Sequence, residues 1–459
     1  MKTIFITLHN TFAIRNLFRS GALSVLLNEG DTRVVALVPE EKIPYYQKEF
    51  EDVIFERLPV EARDSWIERL FHFLTVDAIH TNSVKIQQYS QVLRFGSYAS
   101  YLWKPIFFPA QRLVWHLGGF SWWRSFMRWV YGRLPSNYYG RLFDKYRPDL
   151  AFAANMINPD DYRLLLEAKR RNTKTMGMIL SWDNLTTKSP LCVFPDRLIV
   201  HNPVIKEEAQ KFAGYPLEKV VVTGIPQYDR YFQKRGIIGR DEFIKSIGGD
   251  PKKKLVLYAA SGKASIAFDL DVVEIIQKGI VSGVLPADTQ ILVRPYPRYD
   301  FPKEKMAVVE KLPRVFIHSP VEHLGTGRDD WEFEEESLDF MVNSLFHADA
   351  VLAMSSTFLI ESCVFDKPTI SVLFDGYQKK GYYQSAKKLF DFEHLADIKK
   401  INALAFVFNE KELYDAINDA LLHPERRKEE RKNLVLRQCA FTDGKSAERV
   451  AKAILNYAR

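Results

Sequence analysis

The segment ADAVLAMSSTFLIESCVFDKPTI, residues 348–370, decides the fold. Its apolar run from Ala348 to Met354 reads as a buried strand. The run stops at three hydroxyls, Ser355-Ser356-Thr357, and TFLIESCVFD then reads as an apolar helix carrying one acid, Glu361. Lys367-Pro368 hands the chain to a second apolar run, PTISVLF. Strand, helix and strand in this compass form a βαβ unit, which implies a parallel sheet.

The same rhythm extends outward. Upstream lie KLVLYAAS, DVVEIIQKGIVSG, TQILVRPYP, RVFIHS and SLDFMVNSLFHA, alternating strand and helix patterns. The N-terminal half opens with strand TIFITL, loop HNTFAIR, helix NLFRSGALSVLLNEG ending at a C-cap Gly30, and strand TRVVALVP. It resumes with PDLAFAANM, PDDYRLLLEAKRRN, KTMGMILSW, DRLIVHN, PVIKEEAQKFAG and KVVVTG. From about residue 230, RGIIGRDEFIKSIGGDPKK interrupts the series. Two series joined by a break predict an α/β protein of two Rossmann-like domains facing across a cleft, since ligands bind beyond the carboxyl ends of such strands. The expected boundaries are 1–228, with an aromatic-basic insertion over about 80–147, and 229–440. A last helix in 441–459 is expected to pack back on the N-terminal domain.

The totals exclude several classes. The chain has 459 residues, 47% hydrophobic and 26% charged, which suits a folded protein of two to three domains. A net charge of +7 is a mild lean and supports no nucleic-acid role. Three scattered cysteines, Cys192, Cys363 and Cys439, suit neither a disulfide framework nor a zinc site, and point to a reducing compartment. MKTIFITLHNTF has too short an apolar core for a signal peptide, and no uncharged run reaches the ~18 residues of a membrane span. A cytoplasmic protein is expected. RDDWEFEEESLD (328–339) holds seven acids, read as a solvated loop and not as a metal site.

A strand ending in Ser355-Ser356-Thr357 offers hydroxyls and unbonded amides to an anion. The helix dipole adds ~0.3–2 kcal/mol for a phosphate. Glu361 lies one turn further on, where dinucleotide sites place the acid that meets a ribose diol. An ordinary N-cap at Ser355 or Ser356 explains the same residues.

Four segments in order carry a resemblance: VVVTGIPQYDRY (220–231), LVRPYPRYD (292–300), ADAVLAMSSTFLIESCVFDKPTI (348–370) and FTDGKSAERVAKAI (441–454). Together they resemble GT-B glycosyltransferases. The similarity is greatest to the group of CDP-glycerol glycerophosphotransferases, surface-polysaccharide transferases and UDP-N-acetylglucosamine 2-epimerases. It implies that Ser355, Ser356 and Thr357 hold a donor's phosphates, that Glu361 meets its ribose, and that Arg294, Tyr296 and Pro297 line the same pocket. Many relatives carry His-Pro where this chain has Tyr296-Pro297. A tyrosine suits base stacking or a hydrogen bond there, not charge neutralisation.

Other candidates are each balanced by a plainer role. Gly224 permits a close approach or positive φ at a hinge bordering the ligand, or is an ordinary turn. Ser261 and Lys263, in YAASGKAS, are phosphate-loop candidates, although too short for a Walker motif. His9 follows the first strand, where many inverting GT-B enzymes keep the base that deprotonates the acceptor. It serves equally as a structural histidine. Asp183, in MILSWDNLTTK, is a second candidate base or an Asx-turn residue.

Residues 101–147 break the rhythm with eight Lys/Arg, one acid (Asp144) and five of the eight tryptophans. In SWWRSFMRWVYGRL, helical spacing groups Trp122, Trp123 and Trp129 with Arg124, Arg128 and Arg133. Rings at headgroup level with arginines on anionic lipid would produce this pattern. So would core packing with exposed arginines.

The resemblance implies a metal-independent transferase that needs no cofactor beyond its nucleotide-activated donor (UDP-, GDP- or CMP/CDP-linked). Its acceptor would be a lipid-linked or growing polysaccharide, at the inner face of the cell membrane. A CDP-polyol phosphotransferase and a non-catalytic nucleotide- or glycan-binding scaffold are the alternatives.

Overall fold

The computed structural model describes residues 1–29, 31–59, 66–92, 98–134, 138–261, 268–296, 301–318, 322–323 and 331–459. It divides into two compact units: Met1–Asp229 with Arg437–Arg459, and Arg230–Leu436.

The first unit carries strands β1 (Lys2–Thr7), β2 (Thr32–Val38), β3 (Ile54–Arg57), β4 (Leu150–Ala153), β5 (Lys174–Met178), β6 (Arg197–Val200) and β7 (Val220–Val222). They lie in the order β3-β2-β1-β4-β5-β6-β7, every pairing parallel. Segments such as Phe5–Ile6 and Leu150–Ala153 are fully buried because a parallel sheet is covered on both faces. The winding direction reverses between β1 and β4, which is the ligand-binding switch point of such sheets.

The single helix expected to end at Gly30 is two helices, Thr11–Leu17 and Ala22–Asn28. Asn10, read as loop, is the N-cap of the first and accepts from the Ala13 amide at 3.1 Å. The break falls at Gly21, whose φ of 98° lies in the left-handed region that glycine tolerates. Gly30 itself lies outside the described residues.

The helix Ser446–Ala458 belongs to this first unit. Its Val450, Ala451, Ile454 and Leu455 join the core around Ile4, Leu26 and Ile199. Asp229 holds its first turn, accepting from the amides of Ser446 (2.9 Å) and Ala447 (2.7 Å).

The second unit has β8 (Lys254–Ala259), β9 (Thr289–Arg294) and β10 (Val315–Ile317), then a small antiparallel pair, β11 (Glu322–His323) and β12 (Trp331–Glu332). The strands β13 (Ala350–Ala353), β14 (Thr369–Val372) and β15 (Ala405–Val407) complete it. The main sheet runs β10-β9-β8-β13-β14-β15, all parallel, and reverses between β8 and β13. The quoted segment is thus β13, the helix Phe358–Val364 and β14.

Of the acidic run, 328–330 lie outside the described residues, and the rest forms a strand and a helix start, not a solvated loop. Trp331 and Glu332 are buried in β12. Glu335 and Asp339, on the helix Glu335–His347, pair with Arg230, Glu335 at 2.5 Å, and Glu335 also meets Arg235 at 2.9 Å. These acids balance the basic stretch that opens the unit. Among the described residues, no three His, Cys, Asp or Glu side chains converge as a metal site would require.

Candidate functional site

In the first unit the switch point gathers a buried polar cluster. β1 ends at Thr7, and His9 follows it. β4 is followed by the helix Pro159–Arg170, whose first turn supplies Asp160 and Asp161. His9 Nε2 lies 3.2 Å from Asp161 Oδ2, and Nδ1 lies 3.9 Å from Asp160 Oδ2. Thr7 Oγ1 donates to Asp161 Oδ1 and accepts from the Ala154 amide at 3.1 Å, tying the two strand ends together. Arg163 donates to Asp160 Oδ1 at 3.0 Å.

Burial pushes the Asp161 carboxyl above its ordinary range, and His9 opposes that rise. An imidazole flanked by a buried carboxylate is the arrangement that fixes a tautomer and strengthens a base. The acids were visible in PDDYRLLLEAKRRN but read only as a helix start, where Asp is common.

In the second unit the serine turn follows β13 at the matching switch point. Ser355 Oγ lies 3.2 Å from His394 Nε2. Ser356 Oγ accepts weakly from the Phe358 amide at 3.4 Å, so the N-cap role is filled by the residue one before the cap position, Thr357. Among the described residues no carbonyl accepts from the amides of Ser355, Ser356 or Thr357. Arg294, the last residue of β9, is buried, with its guanidinium 5.1 Å from the ring centre of Phe358. The turn therefore has hydroxyls, amides and a guanidinium close together. The helix Phe358–Val364 is only seven residues long, so its dipole contributes less than a full helix would, and the cationic side chains matter more.

Glu361 is buried. Its Oε2 accepts from the Tyr231 hydroxyl at 2.8 Å, and its Oε1 accepts from Thr357 Oγ1 at 2.6 Å. It organises the turn as well as lining it. His394 had no signal in the sequence: it lies in a single 3-10 turn, Glu393–Leu395, 39 residues from Ser355.

The remaining candidates divide. Gly224 has φ 87°, and a Cβ there would come within 2.3 Å of Ser446 Oγ, so the glycine is required where the last helix docks. The amide and hydroxyl of Ser261 both donate to the buried Asp269 carboxylate, at 2.6 and 2.9 Å. Both donors that a phosphate would need from Ser261 are therefore engaged by an anion. Lys263 and Pro297 lie outside the described residues. Tyr296 is half-buried, two residues past β9. Asp183 precedes the short helix Asn184–Thr187 without capping it through its side chain, and its carboxylate pairs with Lys188 at 2.5 Å.

The aromatic-basic segment forms the helices Tyr98–Gly118 and Ser121–Tyr131. Trp122 and Trp129 are more than half exposed, and Arg133 stacks on the Trp129 ring at 3.7 Å. Arg124 and Arg128 lie on the same helix. Both are half-buried, donating to the carbonyls of Gly118 (2.8 Å) and Ala213 (3.1 Å). Trp123 is half-buried too, its indole donating to the Leu74 carbonyl at 3.3 Å. Among the described residues no helix is long and apolar enough to cross a membrane.

No known protein-family profile and no curated protein sequence matches the chain. Solved structures do. The chain is similar to the S. aureus MnaA–UDP co-structure, at TM-score 0.57 and 12% identity over 100% of this chain and 97% of that one. A UDP-GlcNAc 2-epimerase from Neisseria meningitidis bound to UDP-GlcNAc aligns at TM-score 0.56 and 9% identity, covering 99% and 100%. A glycosyltransferase from Rickettsia africae aligns at 0.53 and 11%, covering 99% and 98%. At such identities the likeness defines the fold: two Rossmann-like domains of the GT-B type.

Proposed function

We propose that the chain is a GT-B glycosyltransferase that moves a sugar from a nucleotide-sugar donor to an acceptor hydroxyl. The observation that carries this reading is the serine turn after β13, with Arg294 and His394 drawn to it, at the switch point of a parallel sheet. The structural neighbours, one solved with UDP and one with UDP-GlcNAc, favour a nucleotide-sugar ligand.

In this reading the diphosphate lies on the turn, its charge met by Arg294, His394 and the amides of 355–357, with no resident metal or cofactor needed. Glu361 meets the ribose. The acceptor hydroxyl loses its proton to the His9 imidazole as its oxygen attacks the anomeric carbon. The bond from that carbon to the diphosphate oxygen breaks, and the nucleoside diphosphate leaves with the electron pair. Asp161 stabilises the imidazolium that forms. Asp183 is the weaker candidate base, since its carboxylate is held by Lys188. The acceptor is a lipid-linked or growing polysaccharide at the inner face of the cell membrane.

A second reading, epimerisation of the donor sugar, is favoured by the 2-epimerases among the neighbours. Product analysis separates these readings. A transferase releases nucleoside diphosphate in proportion to acceptor, an epimerase acts with no acceptor, and a polyol phosphotransferase releases nucleoside monophosphate. We expect acceptor-dependent diphosphate release, lowered ~10²–10⁴-fold by His9→Ala with donor affinity retained. Near-normal turnover of His9→Ala together with loss in Asp183→Asn moves the base to Asp183.

A further inference from the structure

We propose that the first unit holds a binding site for an anionic phospholipid headgroup, in a pocket lined by Arg124 and Arg128 beside the exposed tryptophan face. The proposal rests on the membrane half of the functional reading and is independent of glycosyl transfer.

The pocket, partly open to solvent, is walled by Leu74, Ala78, Met127 and Phe212 with the two arginines. Every hydrogen bond that these guanidiniums make among the described residues goes to a carbonyl or a hydroxyl: Gly118, Gly119, Ala213 and Ser125. Among the described residues no carboxylate pairs with either, and the buried Nε of Arg124 has no hydrogen-bond partner. Burial, and for Arg128 the charge of Arg124 as well, lowers both groups' affinity for the proton, Arg128 to about 10. Two like charges half-removed from water without a counterion are unfavourable, and an anion placed between them relieves that cost.

The mouth of the pocket points to what carries the anion. Trp123 lines it, and its ring centre lies 5.8 Å from Trp122 and 6.4 Å from Phe126. Trp122, Phe126 and Trp129 are spaced one helical turn apart and are each about half exposed, with Phe120 beside them and Trp66 and Leu70 exposed on the helix Trp66–Thr75. Arg133 caps this face over Trp129. A contiguous aromatic face exceeds what water tolerates singly and marks a docking surface. Indoles at headgroup depth, with guanidiniums set to receive phosphate, fit the interface of an anionic bilayer.

The test is co-sedimentation of the full chain with vesicles of phosphatidylcholine alone, or of an equal mixture with phosphatidylglycerol, at low and high salt. The wild type should bind the mixed vesicles only, and less as salt rises. Arg124→Gln with Arg128→Gln should lower the partition ~30-fold, since each basic residue at such a surface contributes about fivefold. Arg124→Lys with Arg128→Lys should keep most of it, and Trp122→Ser with Trp129→Ser should lose it with charge intact. Brominated phosphatidylglycerol should quench the tryptophan fluorescence of the unmodified protein, a readout independent of how any variant folds. A wild type that ignores mixed vesicles, absence of quenching, or a folded glutamine variant that binds like wild type overturns the proposal. Nucleotide binding measured on the same samples should be unchanged throughout, so a failed donor site is recognised separately.

Discussion

Glu361 shows how far a single carboxylate is committed. The sequence placed it one turn past the serines as a ribose contact and nothing more. Its bonds to Tyr231 and Thr357, inside a buried site, change that expectation. Glu361→Ala leaves the Tyr231 hydroxyl buried without this acceptor, a loss of ~1–3 kcal/mol. We therefore expect both weaker nucleotide binding and a lower melting temperature, while Glu361→Gln restores most of the stability but not the affinity. Calorimetric binding and thermal unfolding of the two variants check this; an alanine variant as stable as the wild type contradicts the bonding described.

His201, at the end of β6, gives a pH signature at the same scale. Burial, with Arg15 nearby, holds its pKa down to about 4 from the ordinary 6.5. The unfolded chain therefore takes up a proton between those values that the folded chain refuses. The stability tied to this group is complete above pH 6.5 and is lost as pH falls toward 4, at ~1.4 kcal/mol per pH unit. Urea denaturation at pH 7 and pH 5 should show a loss of about 2 kcal/mol that His201→Gln removes. An unchanged slope in that variant assigns the loss to other groups.

At the scale of elements, the last helix is held by three local devices: the Asp229 carboxylate on its first amides, the glycine at 224, and an apolar face in the first unit's core. Asp229→Ala removes an N-terminal cap worth ~0.5–2 kcal/mol. Gly224→Ala forces a side chain into a left-handed backbone and against Ser446, so it should cost more than the cap. Both should appear as lower urea midpoints with an unchanged slope; a neutral Gly224→Ala contradicts the close approach.

Elements also show what the sequence could reveal. Long apolar runs such as TIFITL in the first unit and DAVLAMSS in the second exposed both parallel sheets, because a strand buried on two faces has no polar alternation to hide it. The edge strands β3 and β15 escaped the reading. The break at Gly21 escaped because leucines on either side continue the helical spacing. In the candidate site, the serine turn, Arg294 and His9 were legible from strand ends. His394 and the acids around His9 were not, since their place depends on how distant loops fold. The inward turn of Arg124 and Arg128 was hidden because helical spacing groups residues by face but does not say which face meets the core.

For the whole molecule, the GT-B fold gives two switch points, and each carries side chains with chemistry: His9 with Asp160 and Asp161 after β1 and β4, and the serine turn after β13. The central claim is that the second of these binds a nucleotide diphosphate. Its most direct test is titration calorimetry of the full chain with UDP, GDP, CDP and CMP, paired with thermal unfolding. We predict that at least one nucleoside diphosphate binds and stabilises the fold by ~2.7 kcal/mol at a hundredfold excess over Kd. Ser355→Ala and Arg294→Gln should each weaken that binding in a folded protein. No heat and no stabilisation with any of the four nucleotides, or full binding retained in both variants, contradicts the claim.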